Sequence, residues 1–185
     1  MSDSGSTDSR FGDQVAASWW TRGKAAIIDL LIFFGVAVVP GAIFIAGFVV
    51  AYDEGRPGVP EGFSFDDAAV LLIVIGGILI LGWLIWGGWL FGYRQGVTST
   101  TPGKRAAGTR LTRIGTGEAP GGGIGVGRIL VPWLISSATA GVYVIIDYLW
   151  PLWDDHKQRV SDKLFKTQVV LDDRPATPAQ SNPIG

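Results

Sequence analysis

The chain has 185 residues, 48% of them apolar and 17% charged, with 27 glycines, 8 tryptophans and no cysteine. The charge fraction lies well below the roughly 25% of soluble proteins, and the missing cysteines exclude disulfides, thiol chemistry and Cys-ligated metals. A net charge of -1 says nothing by itself about a polyanionic partner; the distribution of charge matters more, and no nucleic-acid partner is expected.

Residues 1–18 are rich in Ser, Asp and Gly and read as a disordered tail. They lack the early apolar core of a cleavable signal peptide. Trp19 and Trp20 then stand beside Arg22 and Lys24, a mixture that anchors a span in the headgroup layer. Two apolar runs follow, 25–52 and 68–93, each longer than the about 20 residues that cross a bilayer. Asp29 is the single charge inside them. At 1.5 Å per residue the first run reaches roughly 42 Å against about 30 Å of hydrocarbon, so it must tilt or bend, with Pro40-Gly41 the natural place. The loop between the runs, DEGRPGVPEGFSFDD, is acidic and rich in Pro and Gly.

The second span carries Gly88 and Gly92 at GxxxG spacing, which lets helices approach closely and most simply serves packing within the chain. Trp83, Trp86 and Trp89 recur at helical spacing and read as packing or interfacial residues. Residues 94–128 form a basic, turn-rich connector in which GTRLTRI alternates like a short strand. Its GGGIGVG run lacks the G-x-G-x-x-G spacing of a dinucleotide loop, and TPGKR is no Walker loop. No cofactor is expected.

A third apolar segment, 129–153, is interrupted by Pro132, by a small polar patch at Ser136–Thr139 and by Asp147. Asp147, beside Tyr148, Trp150 and Trp153, reads as reaching the headgroups. KTQVVL forms a second strand-like stretch, and residues 172–185 read as a disordered tail.

Charge asymmetry sets the topology. The first loop has one positive residue against five acids, whereas the 94–128 connector has six positives and one acid. Lys and Arg favour the cytoplasm, so the N-terminus and the connector lie inside. A full third crossing would put Lys157, Arg159, Lys163 and Lys166 outside, against the rule. Two short helices in a re-entrant hairpin, broken near 136–141, remove the conflict and leave both strands inside, where they can pair. A simple third span is the alternative.

Arg22 and Asp29 are seven residues apart, two helical turns, and so share one face about 10 Å apart along the axis. An isolated carboxylate there costs at least roughly 2.5–3.5 kcal/mol and should face a bundle interior or water. Its expected partner is a cation from another segment, either Arg128 or the basic residues near 157–163. Three readings compete: a proton- or cation-binding site, a structural ion pair, or a neutral acid. His156 reads as a solvated turn residue. No nucleophile–base pair stands out, no metal site is expected, and the chain is read as non-enzymatic.

Three blocks, taken in order, resemble the RDD family of bacterial multi-pass membrane proteins. The first is R-x-x-A-x-x-x-D, here Arg22, Ala25 and Asp29. The second is TPGKR: Thr101, Pro102, Gly103, Lys104 and Arg105. The third is QRVSDKLFKTQVV over 158–170, which includes Asp162, Lys163 and Thr167. The resemblance implies that Arg22, Asp29 and Asp162 are the family's arginine and two aspartates. One departure is Lys166, which stands where the family's ending carries Gly before Thr and bears on the turn there.

The expected architecture is therefore mainly α: a small transmembrane bundle spanning residues 19–171, with two full spans, a third broken or spanning segment and two short cytoplasmic strands. The expected setting is the bacterial inner membrane, with the lipid bilayer and either further copies of the chain or another membrane protein as partners. The resemblance implies transport, such as that of a monovalent cation or proton by an oligomer. The candidate charge site is Arg22, Asp29, Asp162 and Arg128. The alternative is a non-catalytic accessory or assembly subunit.

Overall fold

The computed structural model describes residues 10–11, 14–53, 62–63 and 66–173. The remainder of both tails and most of the acidic loop lie outside the described residues, and the readings made for them end there. Short strands β1 (Arg10–Phe11) and β2 (Gln14–Val15) pair antiparallel ahead of the first helix. Ala16 bridges Val170, and Ala17 is buried. The stretch 14–18, read as the end of a disordered tail, is thus part of the fold: its backbone continues the pairing of the last strand.

Helix α1 runs Trp19–Ala51, capped by Ser18, whose Oγ accepts from Thr21 N at 3.2 Å. It begins six residues before the apolar run because this cap sits ahead of the tryptophans. The helix continues through Pro40. Strands β3 (Tyr52–Asp53) and β4 (Gly62–Phe63) follow as a small antiparallel pair. Helix α2 (Asp67–Gly87) begins at the Asp66 cap and passes without interruption into a π-helical stretch, Gly88–Arg94, and then α3 (Gln95–Thr98). The spans measure 33 and 32 residues, and only 6% and 11% of their most apolar stretches are buried. A core helix of a soluble protein would hide that surface. Here Leu31, Val38, Val49, Ile78 and Ile85 face outward, as lipid-facing side chains do.

The two spans pack along their length through small residues. A Cβ on Gly76 would lie 2.6 Å from the Phe44 backbone, so only glycine permits this approach. Phe33 stacks on Trp83 at 4.3 Å, and Trp83 Nε1 donates to Phe33 O at 2.9 Å, which makes Trp83 a packing residue as expected. The GxxxG pair divides. Gly92 packs on Val126 of the next long helix, whereas Gly88 has open space where its side chain would be.

After α3 the chain forms α4 (Pro102–Ala106), β5 (Thr109–Arg113), α5 (Gly122–Ala138), α6 (Val142–Leu149) with a 3-10 turn Trp150–Leu152, α7 (Val160–Leu164) and β6 (Thr167–Leu171). The two expected strands pair antiparallel, with Leu111 opposite Val169. The third apolar segment is a helical hairpin. It turns at Thr139–Gly141, where Ala140 and Gly141 adopt positive φ of 48° and 86°. Both of its arms end on the same cap: Arg128 in α5 meets α7, and Asp147 in α6 meets α7 again. The segment is thus broken into two short helices, as expected, with both arms held by α7.

Candidate functional site

The polar cap is built on short, deliberately capped elements. Thr101 caps α4: its Oγ1 accepts from Lys104 N at 3.1 Å, and Pro102 takes the first helical position, where no N–H is needed. In α7, the carboxylate of Asp162 accepts from its own cap residue, Arg159 N, at 3.1 Å. These caps bring Thr101, Gly103 and Asp162 against the N-terminal part of α1, with Lys104 and Arg159 beside them.

Asp162 is fully buried and gathers the arginines. Arg22 Nη1 lies 3.2 Å from its Oδ2 and Arg128 Nη1 lies 2.5 Å from its Oδ1, the latter an ion pair without hydrogen-bond alignment. Arg22 is locked further by donating to Ala17 O (3.1 Å) and Val169 O (2.9 Å), and Arg128 donates to Thr167 Oγ1. Burial alone would raise the Asp162 carboxyl, but Arg128, Arg159 and Arg22 together hold it well below the usual carboxylate range.

Asp29 has different company from that expected. Its Oδ2 accepts from Thr101 Oγ1 at 2.6 Å and its Oδ1 from Gly103 N at 2.7 Å. The expected cation is not in contact; Arg128 and Arg159 are drawn to Asp162 and Asp147 instead. A carboxylate at the N-terminus of α4 is matched by free N–H groups and the helix dipole, so hydrogen bonds do what an ion pair was expected to do. Gly103 is required: a Cβ there would run into Ala25 O and the Asp29 carboxylate. The TPG sequence and the A-x-x-x-D sequence are thus two halves of one contact. Lys104 is buried beside them. Burial first, then Arg159 and Arg128, push its ammonium down to about 7, against the opposing pull of Asp29 and Asp162.

Asp147 does not reach the headgroups. It is 2% exposed and accepts from Ser161 N at 2.7 Å and Ser161 Oγ at 3.0 Å, with Arg159 Nη1 at 3.8 Å. The return of α6 brings it onto the first turn of α7. Arg159, Ser161 and Asp147 were thus undervalued in the sequence, although an acid inside an apolar run was the same signal that singled out Asp29. Lys163 pairs with Asp154 on the surface, and Arg105 Nε donates to Thr100 Oγ1 at 3.2 Å; both stand apart from the buried cluster. The His156 carbonyl accepts from Gln168 Nε2 at 3.0 Å. Lys166 occupies the left-handed region with φ 50°, the conformation that the glycine of the family ending would favour.

Above the cluster opens a cavity of about 700 Å³ between α1, the end of α2, α5 and α6. Arg22, Asp29, Lys104, Arg128 and Arg159 form its polar floor, and Leu30, Phe33, Leu84, Phe91 and Trp133 are among its apolar walls.

The family model that matches this chain is that of the RDD family, over residues 16–166. A proline-rich antigen homolog from Mycobacterium tuberculosis is 28% identical over 159 residues, covering 82% of this chain and 62% of the relative. The proline-rich antigen of Mycobacterium leprae is 34% identical over 79 residues, 43% of this chain and 30% of the relative. The chain thus spans less than two thirds of the curated relatives it matches. No solved structure matches it.

Proposed function

The chain belongs to the RDD family of membrane proteins, and on that premise we propose that it is a proton-linked transporter of monovalent cations in the bacterial inner membrane. The observation that carries the reading is Lys104, a buried lysine brought to about 7 on the floor of a membrane cavity that also holds Asp29. A group with that value changes charge near neutral pH. Protonated, Lys104 neutralises Asp29. Deprotonated, it leaves a carboxylate and the Thr101 hydroxyl as oxygen ligands for a hard monovalent cation. One proton and one cation then compete for the same place. Two spanning helices and a hairpin are few for a closed path, so the reading includes an oligomer. The basic cap, by the positive-inside rule, faces the cytoplasm together with the N-terminus. No catalytic step or cofactor is part of it.

The test is cation-driven pH change in liposomes that hold purified protein. Wild type should exchange sodium or potassium for protons. Lys104→Met should lose the pH dependence and Asp29→Asn the flux, each while remaining monodisperse and helical. A Lys104→Met protein with unchanged pH dependence would sink the mechanism. The second reading, an accessory subunit, is favoured by Gly35, Gly41 and Gly82, which have open space on the outer faces of the spans where another helix could pack. It expects no flux from any variant and loss of a co-purifying membrane protein when Gly82 becomes Leu.

A further inference from the structure

The arginines on the cavity floor do not balance against the buried carboxylates that hold them. Three guanidinium groups, Arg22, Arg128 and Arg159, face two carboxylates, Asp162 and Asp147. Lys104 and Asp29 offset each other when both are charged. One positive charge is left over while Lys104 holds its proton. A buried charge without a counter-charge is costly, and more so at membrane depth.

Arg159 is the least tightly paired of the three and the most exposed. Asp162 is held at 2.5 Å and 3.2 Å by the other two arginines, and both oxygens of Asp147 already accept from Ser161. Arg159 Nη1 approaches Asp147 no nearer than 3.8 Å, beyond hydrogen-bond length. Its guanidinium instead lies 4.6 Å from the centre of the Tyr148 ring, and both residues line the cavity. The walls beyond are apolar and partly open: Leu30, Leu84, Leu130 and Trp133 line the cavity and are exposed. A small soluble anion would leave those walls unused. The cavity volume falls in the about 300–1,000 Å³ range of small-molecule sites.

We propose that this cavity is a binding site for an anionic phospholipid, its phosphate on Arg159 and the neighbouring guanidinium of Arg128, its acyl chain along Leu30, Leu84 and Trp133. The lipid enters sideways from the bilayer. The site does not depend on whether the protein moves cations.

Purified full-length protein is examined by native mass spectrometry and thermal unfolding with phosphatidylglycerol, phosphatidylcholine of the same chains, or inorganic phosphate. Phosphatidylglycerol should be retained at least 10-fold more than phosphatidylcholine and should raise the melting temperature; phosphate alone should not. Gly88 lines the cavity with open space at its Cβ position, so Gly88→Leu fills the site without touching a charge. It should cut phosphatidylglycerol retention at least 10-fold and leave the lipid-free melting temperature unchanged. Arg159→Gln should make the two lipids equal. Equal retention of both lipids by wild type, an equal shift with phosphate alone, or undiminished retention in Gly88→Leu would each overturn the proposal. Should Arg159→Gln fail to fold, Gly88→Leu still decides.

Discussion

Between the α1–α2 pair and the polar cap, the type of buried side chain reverses. Along the spans, contact is made by Gly76 against the Phe44 backbone and Phe33 against Trp83, while Leu, Ile and Val point outward. In the cap, the fully buried side chains include Thr101, Thr109, Thr112, Thr167, Gln168, Asp147 and Asp162. Lipid provides no hydrophobic force between spans, so small residues and close packing hold them. The cap adds to a small apolar core of Ala17, Leu111 and Val169 a set of hydrogen bonds and charges, where each group needs its own partner. Volume therefore governs tolerance in the spans, and chemical identity governs it in the cap.

The largest effect should come from the centre of the cap. Asp162→Leu strands Arg22 and Arg128, and removing one partner of a buried pair costs about 3–5 kcal/mol. Thermal unfolding in detergent should show it; a melting temperature within a degree of wild type would refute the contrast. Wild-type stability should also fall in acid. The Asp162 carboxyl is depressed by its arginines, so its contribution is present above the unfolded value near 4 and is lost as pH drops below that.

Lys104 should act next. Its folded value of about 7 lies below the ordinary 10.5. Between the two, the unfolded chain holds the proton and the folded chain does not, so stability rises with pH through that window, by at most about 1.4 kcal/mol per pH unit. Below about 7 this contribution is flat. Unfolding measured from pH 6 to 10 should show the slope in wild type and not in Lys104→Met.

Within the spans, Gly76→Leu and Gly82→Leu separate packing from composition. Gly76 abuts Phe44, whereas Gly82 meets nothing within 4 Å. The first should cost about 1–3 kcal/mol or more by overpacking, and the second should stay within about 0.5 kcal/mol. Equal losses would mean that packing between the spans is not what the glycines serve. One small effect is a gain: Lys166→Gly removes a left-handed non-glycine residue at φ 50° and should stabilise by about 0.5–1 kcal/mol. A loss of stability would show that the Lys166 side chain has a role that its exposure conceals.

Much of this was legible in the residues because each feature carries a local or periodic signal. The spans announce themselves by uninterrupted apolar length, the strands by alternation, and the hairpin by conflict between hydropathy and charge. Arg22, Asp29 and Asp162 stand out because the blocks around them follow in order. The partners of those residues were not legible. Asp29 was expected to meet a cation and meets Thr101 and Gly103 N, because a backbone N–H leaves no trace in composition. Asp147 read as interfacial and is buried, because the return of α6 onto Ser161 depends on a turn at Thr139–Gly141 whose geometry is set over the whole hairpin.

By itself, the sequence determined that this is a membrane protein with two apolar spans, a broken third segment and a basic, strand-bearing cap, since burial in lipid demands length and apolarity that are written residue by residue. Only the tertiary structure decided which charges meet, which glycine is packed and which is open, and that three arginines, Lys104 and Asp29 share the floor of one cavity. Those outcomes join residues up to 147 positions apart, and hydrogen bonds and ion pairs over such separations depend on where every intervening element ends.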